Sequence, residues 1–218
     1  MKPLNLIVVL LALAVTGLPA AADSDQFCKA QSVTVRSGET RSGDSYSLAT
    51  NIDVAGTHDG DLWALAQTAL ISGEVRGDLL FFGQSIEISG TVADSVRIWA
   101  NGVTVTGLID GDLIVFGNQV NLHPRGHVTG NLVAVAGSAI VEGQVDGDLR
   151  FTGGKVAVGG TIGRDAVIEA DGIDLDPEAR IGGDLEYTAR KPLEIDTSEI
   201  VAGEVRFEEE VDDEKDDE

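Results

Sequence analysis

The chain has 218 residues, of which 27 are glycine and 5 are proline, and 43% are hydrophobic. Its formal net charge is −22, from 37 acidic and 15 basic side chains. So large an acidic excess leaves no basic surface for phosphate groups, which excludes nucleic acid and anionic lipid as expected partners. The single cysteine, Cys28, excludes an internal disulfide.

Residues 1–22 have the pattern of a secretory signal peptide. Lys2 precedes an apolar run from Leu6 to Val15, and three alanines stand directly before Asp23. The run is shorter than the roughly 20 residues that a membrane-spanning helix needs, which favours cleavage over retention as an anchor. The sequence therefore predicts an exported protein, periplasmic or extracellular, with no transmembrane span in the mature chain.

A triplet of the type Gly-Asp-Leu returns about every 17 residues after an N-terminal lead over residues 23–42. A fixed short period over most of a chain is typical of a stacked solenoid. The repeat predicts one domain over residues 43–207, with about ten windings. The triplets after the first polar copy at Gly43 begin at residues 60, 77, 94, 111, 130, 147, 164, 183 and 203.

Apolar residues in each winding recur two apart, in pairs such as Leu79 and Phe81 or Ile86 and Ile88. Residues two apart share one face of a strand, and the glycines between the pairs supply corners. The spacing of the inward positions is not a steady six, which argues against a left-handed hexapeptide prism. We therefore predict an all-β fold, a right-handed parallel β-helix with three short strands per winding.

Residues 208–218 contain almost only acidic side chains. Such a segment cannot bury enough apolar area to fold, so the sequence predicts a disordered acidic tail.

Most triplets have aspartate as their second residue, directly after a corner glycine, and these aspartates form one column along the solenoid. Its members are expected to hydrogen-bond to their own turns. The alternative is calcium bound between windings, with a second set of carboxylates nearby. The candidate ligands are Asp59, Asp61, Asp110, Asp112, Asp146 and Asp148. The cation is not required by the sequence, and we expect no cofactor.

Catalysis is not expected. The insertions between windings are too short to form the walls of a cleft, and fold analogy with polysaccharide-cleaving β-helices does not by itself indicate an enzyme. His123 and His127 flank Pro124 and Gly126, so we interpret them as a surface loop that lacks a third zinc ligand.

Large apolar residues recur at outward positions of the earlier windings, whereas later windings carry polar residues such as Arg150 and Glu186 there. A continuous apolar surface on a soluble rod indicates an interaction face. The alternative is that the segment around Phe27 to Val35 folds over and covers it. The nine predicted contact residues are Trp63, Leu65, Leu80, Phe82, Trp99, Ile114, Phe116, Val133 and Val135.

The pattern Ile-x-Gly-x-Val-x-Gly-Asp-Leu, clearest over residues 71–79, resembles the bactofilins, the polymer-forming cytoskeletal proteins of bacteria. The resemblance covers residues 43–207 and implies a β-helix that assembles end to end without nucleotide and acts as a scaffold. Typical bactofilins are cytoplasmic, whereas this chain has an export signal.

The sequence thus predicts a non-enzymatic scaffold of the cell envelope that self-associates through its β-helix ends and its apolar face. Uncovered strand edges at the terminal windings favour such assembly. The alternative is an exported module that binds polysaccharide or a protein partner, either with calcium or without it.

Overall fold

The computed structural model describes residues 26–209, which contain β-strands and no helix. The predicted signal peptide and residues 210–218 of the predicted acidic tail lie outside the described residues. No helix with the length and apolar character to cross a membrane occurs in the described part of the chain. The strands, in chain order, are β1 (Gln26–Lys29), β2 (Ser32–Val35), β3 (Thr40–Ser42), β4 (Ser45–Val54), β5 (Thr57–Asp59), β6 (Leu62–Ile71), β7 (Glu74–Val75), β8 (Leu79–Ile88), β9 (Thr91–Val92), β10 (Val96–Val105), β11 (Leu108–Ile109), β12 (Leu113–Leu122), β13 (His127–Val128), β14 (Leu132–Val141), β15 (Gln144–Val145), β16 (Leu149–Val158), β17 (Thr161–Ile162), β18 (Ala166–Leu175), β19 (Arg180–Ile181), β20 (Leu185–Ala189) and β21 (Val205–Glu209).

All the pairings are parallel and join equivalent positions of successive windings. Leu62 pairs with Leu79, Leu79 with Val96 and Val96 with Leu113, each 17 residues further on. The steps lengthen at the predicted insertions, as from Leu113 to Leu132. The predicted parallel β-helix is confirmed, with about 11 windings.

Each winding has one long strand and one short strand, which build three faces, so the prediction of three short strands per winding is wrong. In β6 the buried residues are Leu62, Ala64 and Ala66, then Ala69 and Ile71, so the alternation breaks once in the middle. The long strand therefore turns a corner at that point and covers two faces. The long strands form one sheet with β1, β2, β20 and β21, and the short strands from β3 to β19 form a second sheet.

The inward columns predicted from the sequence form one continuous apolar core. Leu79, Phe81, Ile86 and Ile88 of one winding are all buried, and the third column is closed by residues such as Val92. Each buried side chain stacks on its counterpart one winding away, about 4.8 Å distant. The core of the rod is thus the same apolar stack repeated along the axis.

The corners after the long strands from β4 to β16 carry glycine where successive backbones touch, and Ala179 takes the equivalent position after β18. A Cβ atom on Gly90 would overlap the carbonyl oxygen of Gly73, and one on Gly160 would overlap that of Gly143. Neither clash can be relieved by a side-chain rotation, since both partners are backbone atoms. This column fixes the spacing of the corner.

The solenoid extends beyond residues 43–207 at both ends. At the start, β1 and β2 both pair with β4, and β3 pairs with β5, so the segment treated as a lead forms a further winding. At the other end, Glu208 and Glu209 belong to β21, which pairs with β20. Backbone pairing with an exposed strand edge outweighs the polar composition of both segments.

The core becomes polar in the first windings. Ser45 and Ser47 occupy inward positions, and their buried hydroxyl groups make no hydrogen bond within residues 26–209. His58 is buried in the third column, and its Nε2 lies 3.0 Å from the Asp61 carbonyl oxygen. Cys28 lies half-buried above Ser47. The sequence patterns did not predict that these residues point inward, because polar residues interrupt the apolar periodicity there.

Candidate interaction surface

All nine residues predicted for the outer face lie on the first face of the long strands, in two adjacent columns. One column runs from Trp63 through Leu80 and the other from Leu65 through Phe82, Trp99 and Phe116. Side chains in one column are separated by only the inter-strand distance, so they contact each other directly. The placement on one continuous face follows from the 17-residue register.

Three aromatic rings form a stack along the middle of this face. The ring centroids of Phe82 and Trp99 lie 4.7 Å apart with planes 9° from parallel, and those of Trp99 and Phe116 lie 5.3 Å apart at 10°. The rings cover each other's faces and turn their edges outward. Trp99 is still 37% exposed, so the stack does not remove the surface from solvent.

The structure adds Tyr46 and Leu48 to the face, and Arg97 interrupts it. One winding above Tyr46 and Leu48 lie the exposed Phe27 and the charged Lys29, where the apolar face ends. Tyr46 and Leu48 lie directly above Trp63 and Leu65, and both are exposed. Arg97 lies between Leu80 and Ile114, where its guanidinium group is 3.3 Å from the Asp78 carboxylate. We call the following surface the apolar strip: Tyr46, Leu48, Trp63, Leu65, Leu80, Phe82, Trp99, Ile114, Phe116, Val133 and Val135.

The segment around Phe27 to Val35 does not cover the apolar strip, so that alternative is wrong for the described residues. Strands β1 and β2 continue the sheet at its edge instead of crossing its face. Trp63 and Leu65 remain 46% and 54% exposed. The edge of β4 offers that segment a full row of backbone hydrogen bonds, which an outer face cannot.

A column of amide side chains borders the strip at the bend of the long strands. Gln67, Gln84, Asn101 and Asn118 are all exposed. Gln67, Gln84 and Asn101 line a shallow depression together with Leu65 and Phe82. The strip therefore has an apolar centre and, on this side, an uncharged polar border, whereas the aspartate column borders its other side.

The aspartate column forms a hydrogen-bond ladder between windings, which corrects the expectation of bonds within each turn. The Asp61 carboxylate accepts from the Asp78 N–H at 2.9 Å, and Asp112 accepts from the Asn131 N–H at 2.7 Å. Asn131 continues the pattern through its amide oxygen. Each side chain reaches the next winding because the equivalent backbone N–H lies one inter-strand distance away.

Arginines from the next winding offset part of the charge in this column. Arg164 lies 3.4 Å from Asp148, and Arg206 lies 3.9 Å from Asp184. The remaining calcium candidates of the second set also contact protein donors. Asp59 faces Arg76 at 3.8 Å, and Asp110 accepts from the Thr129 hydroxyl at 2.9 Å.

Asp146 accepts hydrogen bonds from Gln144 at 2.6 Å and from His127 at 2.8 Å. These bonds, with Gln144 the larger contributor, lower the pKa of Asp146 below its usual value. Within residues 26–209 there is no group of three or more His, Cys, Asp or Glu side chains placed to hold a metal ion. Calcium binding stays a prediction that a chelator titration can test.

The two histidines of the insertion have different structural settings. His123 accepts a hydrogen bond from the Arg125 N–H at 3.2 Å in a turn, and His127 belongs to β13.

A second depression, on the face beside the strip, contains Asp53 and Glu87. These carboxylates are two windings apart, roughly 10 Å, which is too far to share a proton.

No family model matches the chain, and neither the curated proteins nor the solved structures include one with significant similarity to it.

Proposed function

We propose that this chain is a non-enzymatic structural or scaffold protein of the cell envelope, which self-associates through the apolar strip and the ends of its β-helix. The exposure of the strip is the single observation that carries the proposal. Eleven apolar side chains in six successive windings present a continuous uncharged surface, broken only by Arg97, on a chain that is otherwise strongly acidic. A surface of this kind is unusual in a monomer and typical of a contact.

The ends of the rod also favour assembly. Among the described residues, β21 pairs only with β20, and all five of its residues are exposed. Val205 and Phe207 at this end are 41% and 37% exposed, although the equivalent residues of inner windings are buried. An uncovered parallel edge with apolar inward residues is a template for another strand. The bactofilin-like repeat of the sequence is consistent with this part of the proposal.

The test removes the strip without touching the core. Phe82→Asp together with Phe116→Asp places two charges on outward positions, so the fold should persist while assemblies disperse. Analytical ultracentrifugation measures the change in sedimentation, and circular dichroism checks the strand content. Unchanged sedimentation of the double variant would refute the strip as a contact.

A matched control lies in the same column. Thr152 and Thr188 occupy the positions of Phe82 and Phe116 in later windings. Thr152→Asp together with Thr188→Asp adds the same charge to the same face, outside the strip. We expect this control to sediment like the original chain, which separates loss of the apolar contact from simple charge repulsion.

An exported binding module for polysaccharide is the second candidate, and the amide column beside the aromatic rings is the observation that favours it. Sugar rings stack on the faces of aromatic side chains, however, and the two faces of Trp99 are covered by Phe82 and Phe116. Electron microscopy with and without calcium separates the two candidates. Filaments or bundles support the scaffold, and dispersed rods that respond to calcium support the binding module.

A further inference from the structure

We infer that two copies of the chain pair face to face through the apolar strip with their rods antiparallel, related by a two-fold axis that lies between the winding of Phe82 and the winding of Trp99. This inference rests on the proposed self-association through the same strip. It adds the identity of the occupant, a second copy, and the geometry of the contact.

The first argument is area. Eight members of the strip are 36–54% exposed. Since a large side chain has about 150–250 Å² of surface, these eight present roughly 650 Å² on each copy. A pair would bury about 1,300 Å² in total, within the range of specific protein interfaces and at its lower end. The strip is therefore large enough for a pair to form and be reversible.

The second argument is self-complementarity. A two-fold axis along the strand direction places each column against the same column of the second copy, with the order of windings reversed. The six windings of the strip then superpose on themselves, and every facing pair is apolar except Leu80 with Arg97. Leu48 faces Val135, Leu65 faces Phe116, and Phe82 faces Trp99 of the second copy. An isologous contact of this type closes on itself.

The third argument is charge. Arg97 does not distinguish the two geometries, because the two Arg97 side chains lie one winding apart in the antiparallel pair and at one level in a parallel pair. The acidic residues of the later windings do distinguish them. Parallel rods would place Glu169, Glu186 and Glu208 at the same levels as the same residues of the second copy, whereas in the antiparallel pair these residues lie beyond the strip. Like charges facing each other at an interface disfavour the parallel arrangement.

Cysteine crosslinking distinguishes the two geometries. The background variant Cys28→Ser removes the natural thiol, and serine suits the site because Ser47 fills the equivalent position one winding later. Leu48→Cys and Val135→Cys are then introduced separately, both at exposed positions. These residues are five windings apart on one rod, about 24 Å, which a short bis-maleimide cannot span.

We expect a crosslinked dimer when the two single-cysteine variants of the full chain are mixed, and none from either variant alone. A dimer from Leu48→Cys alone would overturn the antiparallel geometry and indicate parallel pairing. If ultracentrifugation shows association but neither the mixture nor the single variants crosslink, the strip is not the paired surface and the inference fails, while association through the rod ends stands. If the chain sediments as a monomer, the proposed self-association fails with it.

A comparison variant guards against crosslinking by random collision. Glu169→Cys in the same background lies in the same column beyond the strip. In the antiparallel pair it faces no residue of the strip, so mixing it with Val135→Cys should give no dimer. A dimer from this mixture would show that the reagent reports collisions, and the pattern for Leu48 and Val135 would then count against the inference.

Discussion

The earlier and later windings of this rod share one interior and differ on one outer face. Phe81 and Phe151 are equivalent inward residues, and both are buried to within 2%. On the outside, the column that begins with Leu65, Phe82, Trp99 and Phe116 continues as Thr152, Glu169 and Thr188. The comparison shows that the inward side chains determine how a winding folds, whereas the outward side chains of the same strand can vary without changing the fold.

This separation has a physical reason. Inward side chains must fill the space left by the windings above and below, so their volume is constrained along the whole axis and, from β6 onward, so is their polarity. Outward side chains contact only their column neighbours and solvent, so their composition changes without changing the winding. The fold of the windings therefore does not require a surface that is apolar in six successive windings and mostly polar afterwards, which supports the proposed contact.

The largest expected effect comes from the corner glycines, which should be equally important in both regions. Gly90→Ala in the earlier windings and Gly160→Ala in the later ones both drive a methyl group into a backbone carbonyl. We expect each to destabilise the fold by about 3 kcal/mol or more, because the backbone itself must move. Chemical denaturation measures the free energy of unfolding.

The matched controls are glycines with room for a methyl group. A Cβ atom on Gly102 has no neighbour within 4 Å, and one on Gly172 makes only an ordinary contact with Lys155. Gly102→Ala and Gly172→Ala should therefore change the unfolding free energy by less than about 1 kcal/mol. If Gly90→Ala were as mild as Gly102→Ala, the corner column would not set the spacing of the windings.

An intermediate effect is expected from the aspartate ladder, which also crosses both regions. Asp61→Ala and Asp165→Ala each leave a backbone N–H of the next winding without its acceptor, at Asp78 and Asp184 respectively. We expect a loss of about 1–2 kcal/mol for each in thermal or chemical unfolding.

Asparagine at the same two positions tests whether the acceptor oxygen matters more than the charge. Asn131 already holds this role in the native column. Asp61→Asn and Asp165→Asn should therefore retain most of the stability that alanine removes. Equal losses for asparagine and alanine would mean that the carboxylate charge is what the column provides.

The smallest effect is expected from Asp146, at the junction of the two regions. Hydrogen bonds from Gln144 and His127 lower the pKa of Asp146 in the folded state. A carboxyl group with a depressed folded pKa stabilises the fold above its unfolded pKa of about 3.9, and this contribution disappears as the pH falls through the folded value. Asp146 therefore stabilises the fold at neutral pH, and this contribution is lost in acid.

Comparison of the original chain with Asp146→Asn over a range of pH tests this contribution. The original chain should have a slightly higher unfolding midpoint at pH 6, and the difference should shrink as the pH falls below 4. The effect is small because the carboxylate is 41% exposed and solvent screens it. A difference that grows toward acid would contradict the depressed pKa.

The sequence by itself determined the winding period, the inward columns and the outward placement of the predicted contact residues. These follow from local rules, because side chains alternate along a strand and the same pattern returns every 17 residues. Trp63 and Phe116 could be assigned to one face without knowing where any neighbouring winding lay.

Only the tertiary structure decided the features that depend on contacts between windings. It directed each aspartate to the N–H of the next winding, stacked Phe82, Trp99 and Phe116, and added Tyr46 and Leu48 to the strip. It also made the N-terminal segment a winding, although that segment lacks the Gly-Asp-Leu pattern. The physical reason is that backbone pairing at a strand edge is independent of side-chain sequence, so a polar segment can continue a solenoid that its own residues do not predict.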